Sequence, residues 1–156
     1  MTAKSQSTNI RLRSIRQEDF FWLRTYDFSP LSMERDSIYL FFCVHFSDTS
    51  FVAFDTLNDQ PVGVVLGFLP AGKSIAYVHY LFVDEGYRRQ GIGSRLMESF
   101  IDAVRLQGAK DVTLFTVRAV DFYQRLGFEI GNVAFDGVVS DYIGDAKRAS
   151  IMRLKL

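Results

Sequence analysis

A mixed α/β domain of the α+β kind is the fold class this sequence predicts, and three observations carry it. Short segments that alternate apolar and polar residues, or are β-branched and aromatic throughout, recur along the chain. Residues 75–117 run as strand, glycine-rich turn, amphipathic helix and strand, the order of a crossover between neighbouring strands. The length, 156 residues with 48% hydrophobic and 23% charged, suits one packed core and leaves no room for a second domain.

Taken in order, residues 10–15 alternate at period two and read as a strand. Residues 17–28 and 34–47 carry apolar residues at helical spacing, with Ser29-Pro30 as punctuation between them. Residues 50–56 read as a strand, 58–61 as a turn and 62–69 as a second strand. Residues 75–83 are aromatic and β-branched, which predicts a central strand buried on both faces. A turn over 86–93 leads into a helix reaching about Gln107, its stripe formed by Ile92, Leu96, Phe100 and Val104, with Gly108 as its C-terminal cap. Residues 111–117 form a strand and 119–126 a short helix. Strands continue from Phe128, with an irregular stretch near 136–147.

Composition removes several function classes. Lys plus Arg number 18 and Asp plus Glu 18, so the chain lacks the net basic charge that duplex nucleic-acid binding calls on. The lone Cys43 can form no intrachain disulfide and lies in an apolar run, so nothing asks for an oxidising compartment. No apolar stretch approaches the roughly 20 residues of a membrane span, and no apolar signal core opens the chain. The expectation is a cytoplasmic protein with no membrane or nucleic-acid partner: a polar flexible tail over residues 1–9 and one domain over 10–156. The 15 Phe and 7 Tyr exceed what so small a core needs, which suggests an apolar surface used in a homodimer.

Two glycine-rich segments compete as anion sites. Residues 67–74 match the nucleoside-triphosphate loop G-x-x-x-x-G-K-S letter for letter. That loop works by opening a helix at its Lys, so that amides face phosphate. Here Lys73-Ser74 runs into strand-like residues, and Asp84 comes too soon for an intervening helix. Residues 70–74 therefore read as an exposed hairpin turn. Arg88-Arg89-Gln90-Gly91-Ile92-Gly93 has the required context instead, a strand before it and an amphipathic helix after it. Glycines at 91 and 93 let successive N–H groups approach an anion at the positive helix end. Leu96 stands where a dinucleotide fingerprint has its third glycine.

Leu81-Phe82-Val83 followed by Arg88-x-x-Gly91-x-Gly93 resembles the R/Q-x-x-G-x-G/A motif of the GNAT N-acetyltransferase superfamily. Ala119-x-x-Phe122-Tyr123-x-x-Leu126-Gly127-Phe128 is similar to that superfamily's second signature, at the expected distance. The resemblance spans residues 75–130. It implies a central twisted mixed β-sheet of about six to seven strands flanked by about four helices, with acetyl-CoA as cosubstrate and no metal. It also implies that the cosubstrate lies where strands 75–83 and 111–117 part. Leu81, Phe82 and Val83 would bind its arm through main-chain atoms, the Val83 N–H facing the thioester carbonyl. The pyrophosphate would fall to Arg88, Arg89, Gln90, Gly91, Ile92, Gly93 and Ser94, and further contacts to Phe122 and Thr116. Thr116 stands where the superfamily usually has Asn.

For chemistry, the resemblance makes Tyr123 the donor to the leaving sulfur. A phenol of ordinary pKa, about 10, is protonated at neutral pH. A plain core tyrosine is the other reading. His79, four residues before Val83 in an apolar run and read as sharing its face, stands where some small-amine relatives carry a Glu. An imidazole can accept the ammonium proton, or the residue can be a buried structural histidine.

On the acceptor side, residues 31–53 are similar to a segment of the diaminobutyrate acetyltransferases of ectoine synthesis. They depart from it at Ser32-Met33-Glu34-Arg35 and at His79. The function expected is therefore direct acetyl transfer to the primary amine of a small molecule, amino acid or diamino-acid-like. The alternatives are protein or peptide N-acetylation and a non-catalytic acyl-CoA sensor; Tyr123 argues against the sensor, which needs no proton donor.

Overall fold

The alternating start of the chain folds as strand β1 (Ile10–Ser14), antiparallel to β2 (Phe51–Asp55). From β2 the chain turns through residues 56–59 into β3 (Gln60–Phe68), and β3 turns into β4 (Ile75–Val83), each pair antiparallel. Strand β5 (Asp111–Thr116) lies parallel to β4. Strand β7 (Ser150–Lys155) pairs with β5 and with the two-residue β6 (Glu129–Ile130), antiparallel to both. The sheet order is β1-β2-β3-β4-β5-β7-β6. The structure, a computed structural model, describes residues 9–116, 118–131 and 150–156. The expected irregular stretch at 136–147 lies outside them, as does the expected tail apart from Asn9. The Asn9 carbonyl accepts from both the N–H and the hydroxyl of Thr56.

Two layers cover the sheet. Helix α3 (Ile92–Leu106) follows β4, and its stripe (Ile92, Leu96, Met97, Phe100, Val104) is buried against Ala53, Val65, Ala76, Val78, Val112 and Leu114. The period of 3.6 read from the sequence is therefore the packing face. On the other face, α1 (Phe20–Leu23) and α2 (Asp36–His45) cover Val52, Val64, Leu66, Tyr80 and Phe82. Phe28 is the hub there, with ring centroids of Tyr26, Tyr39, Tyr80 and Phe82 within 5.0–5.9 Å. Much of the aromatic surplus that suggested a dimer surface is spent in this layer. Cys43 is buried in it too, its thiol pushed up to about 12 by that burial.

The expected helix over 17–28 shrinks to a 3-10 turn, Gln17–Asp19, and the single turn of α1. Asp19 is the reason for the turn. Its carboxylate accepts from the Arg13 guanidinium, the Arg16 N–H and the Trp22 indole; burial raises its pKa, but those bonds together outweigh it and hold the group below its ordinary value. Past Leu23 the chain gives up helical hydrogen bonding as Phe28 enters the aromatic layer with no accessible surface, and Pro30 removes a donor just beyond. Helix α2 begins two residues later and ends two earlier than expected.

Candidate active site

The site begins with an irregularity in β4. Leu66 pairs with Tyr80 and the next β3 residue, Gly67, pairs with Val78, so His79 is an extra residue on β4: a β-bulge. A bulge shifts the side-chain alternation by one. Ala76 and Val78 pack under α3, and so do Leu81 and Val83. Tyr80 and Phe82 pack in the opposite layer, where the His79 ring stacks on Phe42 at 5.3 Å and 22°. The sequence expectation that His79 shares the face of Val83 is thereby corrected; plain alternation would hold only in a regular strand. Both faces of this central strand are covered, Ala76 and Val78 on the α3 side and Tyr80 and Phe82 on the other, while residues 75, 77, 79, 81 and 83 are each half-buried.

Bulged strands bend, and β4 leaves β5 directly after this one. The parallel pairing runs only from Ile75–Asp111 to Val78–Leu114. Beyond it β5 stays in the sheet with β7 up to Thr116, so β4 exposes an edge. The register decides which groups line that edge. The Asp84 N–H donates to the Val62 carbonyl at 2.7 Å. In an antiparallel ladder, positions 84 and 82 then face β3, whereas 83 and 81 face away. The N–H and C=O of Leu81 and the N–H of Val83 thus point into the gap, while the main chain of Phe82 is spent on β3. The Val83 carbonyl accepts from Arg88 Nε at 2.9 Å.

Past β4 the chain reaches α3 through a tied-down turn. Asp84 accepts from the Gly86 N–H at 3.0 Å and from the Tyr26 hydroxyl at 2.5 Å. The Tyr87 hydroxyl donates to Asp55 at 2.6 Å. Arg89 and Gly91 adopt left-handed φ of 65° and 80°, a conformation easy only for glycine. Gly91 is the N-cap of α3 and provides no side-chain cap, so the first-turn N–H groups have no intrahelical partner. A Cβ on Gly91 would meet nothing within 4 Å, so the space beside the helix start at Gly91 is open; one on Gly93 would lie 3.3 Å from Phe122 Cζ. Gly93 therefore also lets α4 (Val120–Arg125) approach α3. Arg88, Arg89, Gln90, Ile92 and Ser94 surround this same helix start.

The gap opens into a cleft of about 510 Å³, lined among others by Glu34, Tyr77, His79, Leu81, Thr116 and Tyr123. Tyr123 projects from α4 with its ring edge-on to Phe122 and Phe128. Burial alone pushes its phenol up to about 12, so it stays protonated across the neutral range. Thr116 donates its hydroxyl proton to the Arg118 carbonyl and accepts from the Arg118 N–H. The Thr116 side chain is thus occupied in its own turn.

His79 Nε2 lies 2.7 Å from Glu34 Oε2, with the two side chains 27% and 31% exposed. Two tyrosines of the aromatic layer hold the segment that carries Glu34. The Tyr80 hydroxyl donates to the Ser32 carbonyl at 2.8 Å, and the Tyr39 hydroxyl accepts from the Glu34 N–H at 3.0 Å. Burial raises the Tyr80 phenol, and burial together with the Glu34 charge raises that of Tyr77. Sequence reasoning passed over Glu34 as a partner for His79: 45 positions separate them, and only the tertiary fold closes that distance. Arg118, which also lines the cleft, carried no local signal either.

The rival loop is no phosphate site. Gly67 lies within β3, where a Cβ would stand 2.4 Å from the Phe100 ring, and the Lys73 N–H closes a turn onto the Pro70 carbonyl. Strand β4, not a helix, comes next.

Fold and cleft together define a class: a mixed-sheet domain whose parallel strands part beside an uncapped, glycine-led helix start. The model of the Acetyltransferase (GNAT) family matches residues 10–128, and the chain belongs to that family. It is 32% identical over 98 residues to N-alpha-acetyltransferase 30 of Schizosaccharomyces pombe, an alignment covering 58% of this chain and 64% of that protein. The chain thus spans less than two thirds of that relative's length. Its fold is similar to that of Ard1 from Thermoplasma volcanium, with a TM-score of 0.75 and 22% identity over 95% of this chain and 98% of that one. It is also similar to diaminobutyrate acetyltransferase EctA from Paenibacillus lautus, solved with L-2,4-diaminobutyric acid and coenzyme A. There the TM-score is 0.71, with 17% identity over 94% of each chain.

Proposed function

We propose that this protein transfers the acetyl group of acetyl-CoA directly to the primary amine of a small molecule of the amino-acid or diamino-acid kind. The observation that carries the reading is the edge of β4 at Leu81 and Val83, free among the described residues, lying beside the first-turn amides of α3, which have no intrahelical partner. An extended amide-bearing arm ending in a pyrophosphate needs both features. Open space beside Gly91 fits an anion brought close to the main chain. Leu81 and Val83 hold the arm by main-chain hydrogen bonds. The turn from Arg88 through Ser94 holds the phosphates, Phe122 lies beside Gly93 in that turn, and Thr116 borders the arm. What acetyl-CoA supplies is an activated acyl group, a thioester.

The chain's own residues handle protons and charge. The Val83 N–H is the donor for a carbonyl oxygen as negative charge builds on it. Tyr123 gives its proton to the departing sulfur and recovers one from the nitrogen that has become an amide. His79 accepts the proton that the incoming ammonium must shed before it can attack. A primary amine is thus the common denominator of the acceptor. Peptide N-termini are the second reading, supported by the similarity to N-alpha-acetyltransferase 30.

Two measurements test this. Acetyl-CoA should raise the melting temperature and ATP should not, because only a ligand of the native state stabilises it. Thiol release should then be followed over a panel of diamino acids, amino acids and peptides. Turnover confined to peptides would replace the small-molecule acceptor with the second reading. A thermal shift with ATP and none with acetyl-CoA would sink the assignment.

A further inference from the structure

The carboxylate facing His79 has no part in the proton transfers given to Tyr123 and His79. A half-exposed side-chain contact of this kind is normally worth little, but three features set this one apart. Both groups line the cleft that Tyr123 enters. The Glu34 main chain is pinned through Tyr39, and its neighbour Ser32 through Tyr80, so the carboxylate is delivered to the ring rather than wandering over the surface. The ring is held as well, stacked on Phe42 at the bulge of β4.

A carboxylate can only accept hydrogen bonds. A contact of 2.7 Å between Glu34 Oε2 and His79 Nε2 therefore requires the hydrogen of a neutral imidazole to sit on Nε2, which leaves the lone pair on Nδ1. Among the described residues Nδ1 has no hydrogen-bond partner. We infer that Glu34 is a positioning residue for His79, fixing the tautomer in which Nδ1 receives the proton of the incoming ammonium. This rests on the acetyl-transfer reading for its chemistry, though not for its geometry. One N–H bond of the ammonium breaks and one Nδ1–H bond forms. The positive charge moves from the amine to an imidazolium that bonds Glu34 through its other nitrogen, and the proton then leaves to solvent. Among the described residues, the other titratable or charged groups facing this pair are Tyr77 and Tyr80 on β4, Tyr39 on α2, and Tyr123 and Arg118 across the cleft.

The chain has two histidines, so long-range ¹⁵N–¹H spectra at alkaline pH, with His45→Gln for assignment, read the tautomer of His79 directly. The expected wild-type pattern is hydrogen on Nε2, and Glu34→Ala should turn it into a tautomer mixture. In steady-state kinetics, Glu34→Ala should lower kcat about 10- to 100-fold, by analogy with the loss of a partner that orients a metal-bound histidine. Its acetyl-CoA thermal shift should persist. Glu34→Gln, which keeps an acceptor oxygen, should retain the Nε2–H tautomer and recover part of the rate. Hydrogen on Nδ1 in the wild type would overturn the proposal, and so would a Glu34→Ala effect confined to the KM of the amine. The spectra need no turnover, so they decide this point even if no acceptor is acetylated, and that failure would count against the functional reading alone. Should Glu34→Ala not fold, the wild-type and Glu34→Gln spectra still decide it.

Discussion

Replacing Tyr123 by Phe removes a single oxygen. The ring is 8% exposed and packs edge-on to Phe122 and Phe128, contacts that Phe keeps. The hydroxyl has no hydrogen-bond partner among the described residues, and burial alone displaces its titration. Near neutral pH the variant should match the wild type in stability to within about 1 kcal/mol, because no partner is left unpaired. Its kcat should nonetheless fall about 10²- to 10⁴-fold, the range for one acid–base group, with acetyl-CoA affinity little changed. The two proteins should part again in alkali. The folded phenol titrates at about 12 and the unfolded one at 10.0, so the unfolded chain alone ionises it between those values. The wild type should therefore lose about 2 kcal/mol relative to the variant as pH rises from 10 to 12, the slope staying below the limiting value of about 1.4 kcal/mol per unit. Thiol release with a good acceptor and paired thermal melts across that pH range are the assays. An unchanged kcat would reduce Tyr123 to packing, and parallel melting curves at every pH would refute the burial argument.

Gly91→Val should abolish the thermal shift with acetyl-CoA, since a β-branched residue resists a φ of 80° and puts atoms into the open space beside the helix start. Lys73→Ala, in the hairpin turn, should leave the shift intact; losing it there would reverse the choice between the two loops. His79→Gln should remove the acid-side inflection of kcat/KM and lower the rate, while His79→Glu should restore part of it. If folded His79→Gln kept the wild-type profile, the residue would be structural and water would carry the proton.

The motif around Gly91 and Gly93 and the signature from Ala119 to Phe128 were legible in the chain, because each lies on one turn with the helix it opens. The stripe of α3 was legible for the same reason: helical periodicity is local, and the sheet buried the residues it marked. Even the misleading match at residues 67–74 could be rejected from the chain, since residues 75–83 suit a strand and no helix. The tertiary structure decided the rest. Whether His79 faced Val83 or Phe42 turned on a bulge that exists only because β3 pairs with β4 one residue out of step. That Glu34 meets His79 turned on Tyr39 and Tyr80, two aromatic-layer residues whose hydroxyls hold a distant loop. The expected helix over 17–28 gave way because burying Phe28 among four aromatic rings outweighed the weak propensity of a short helix. Spacing records what neighbours along the chain can do together, whereas register, bulges and loop docking depend on partners that only packing selects.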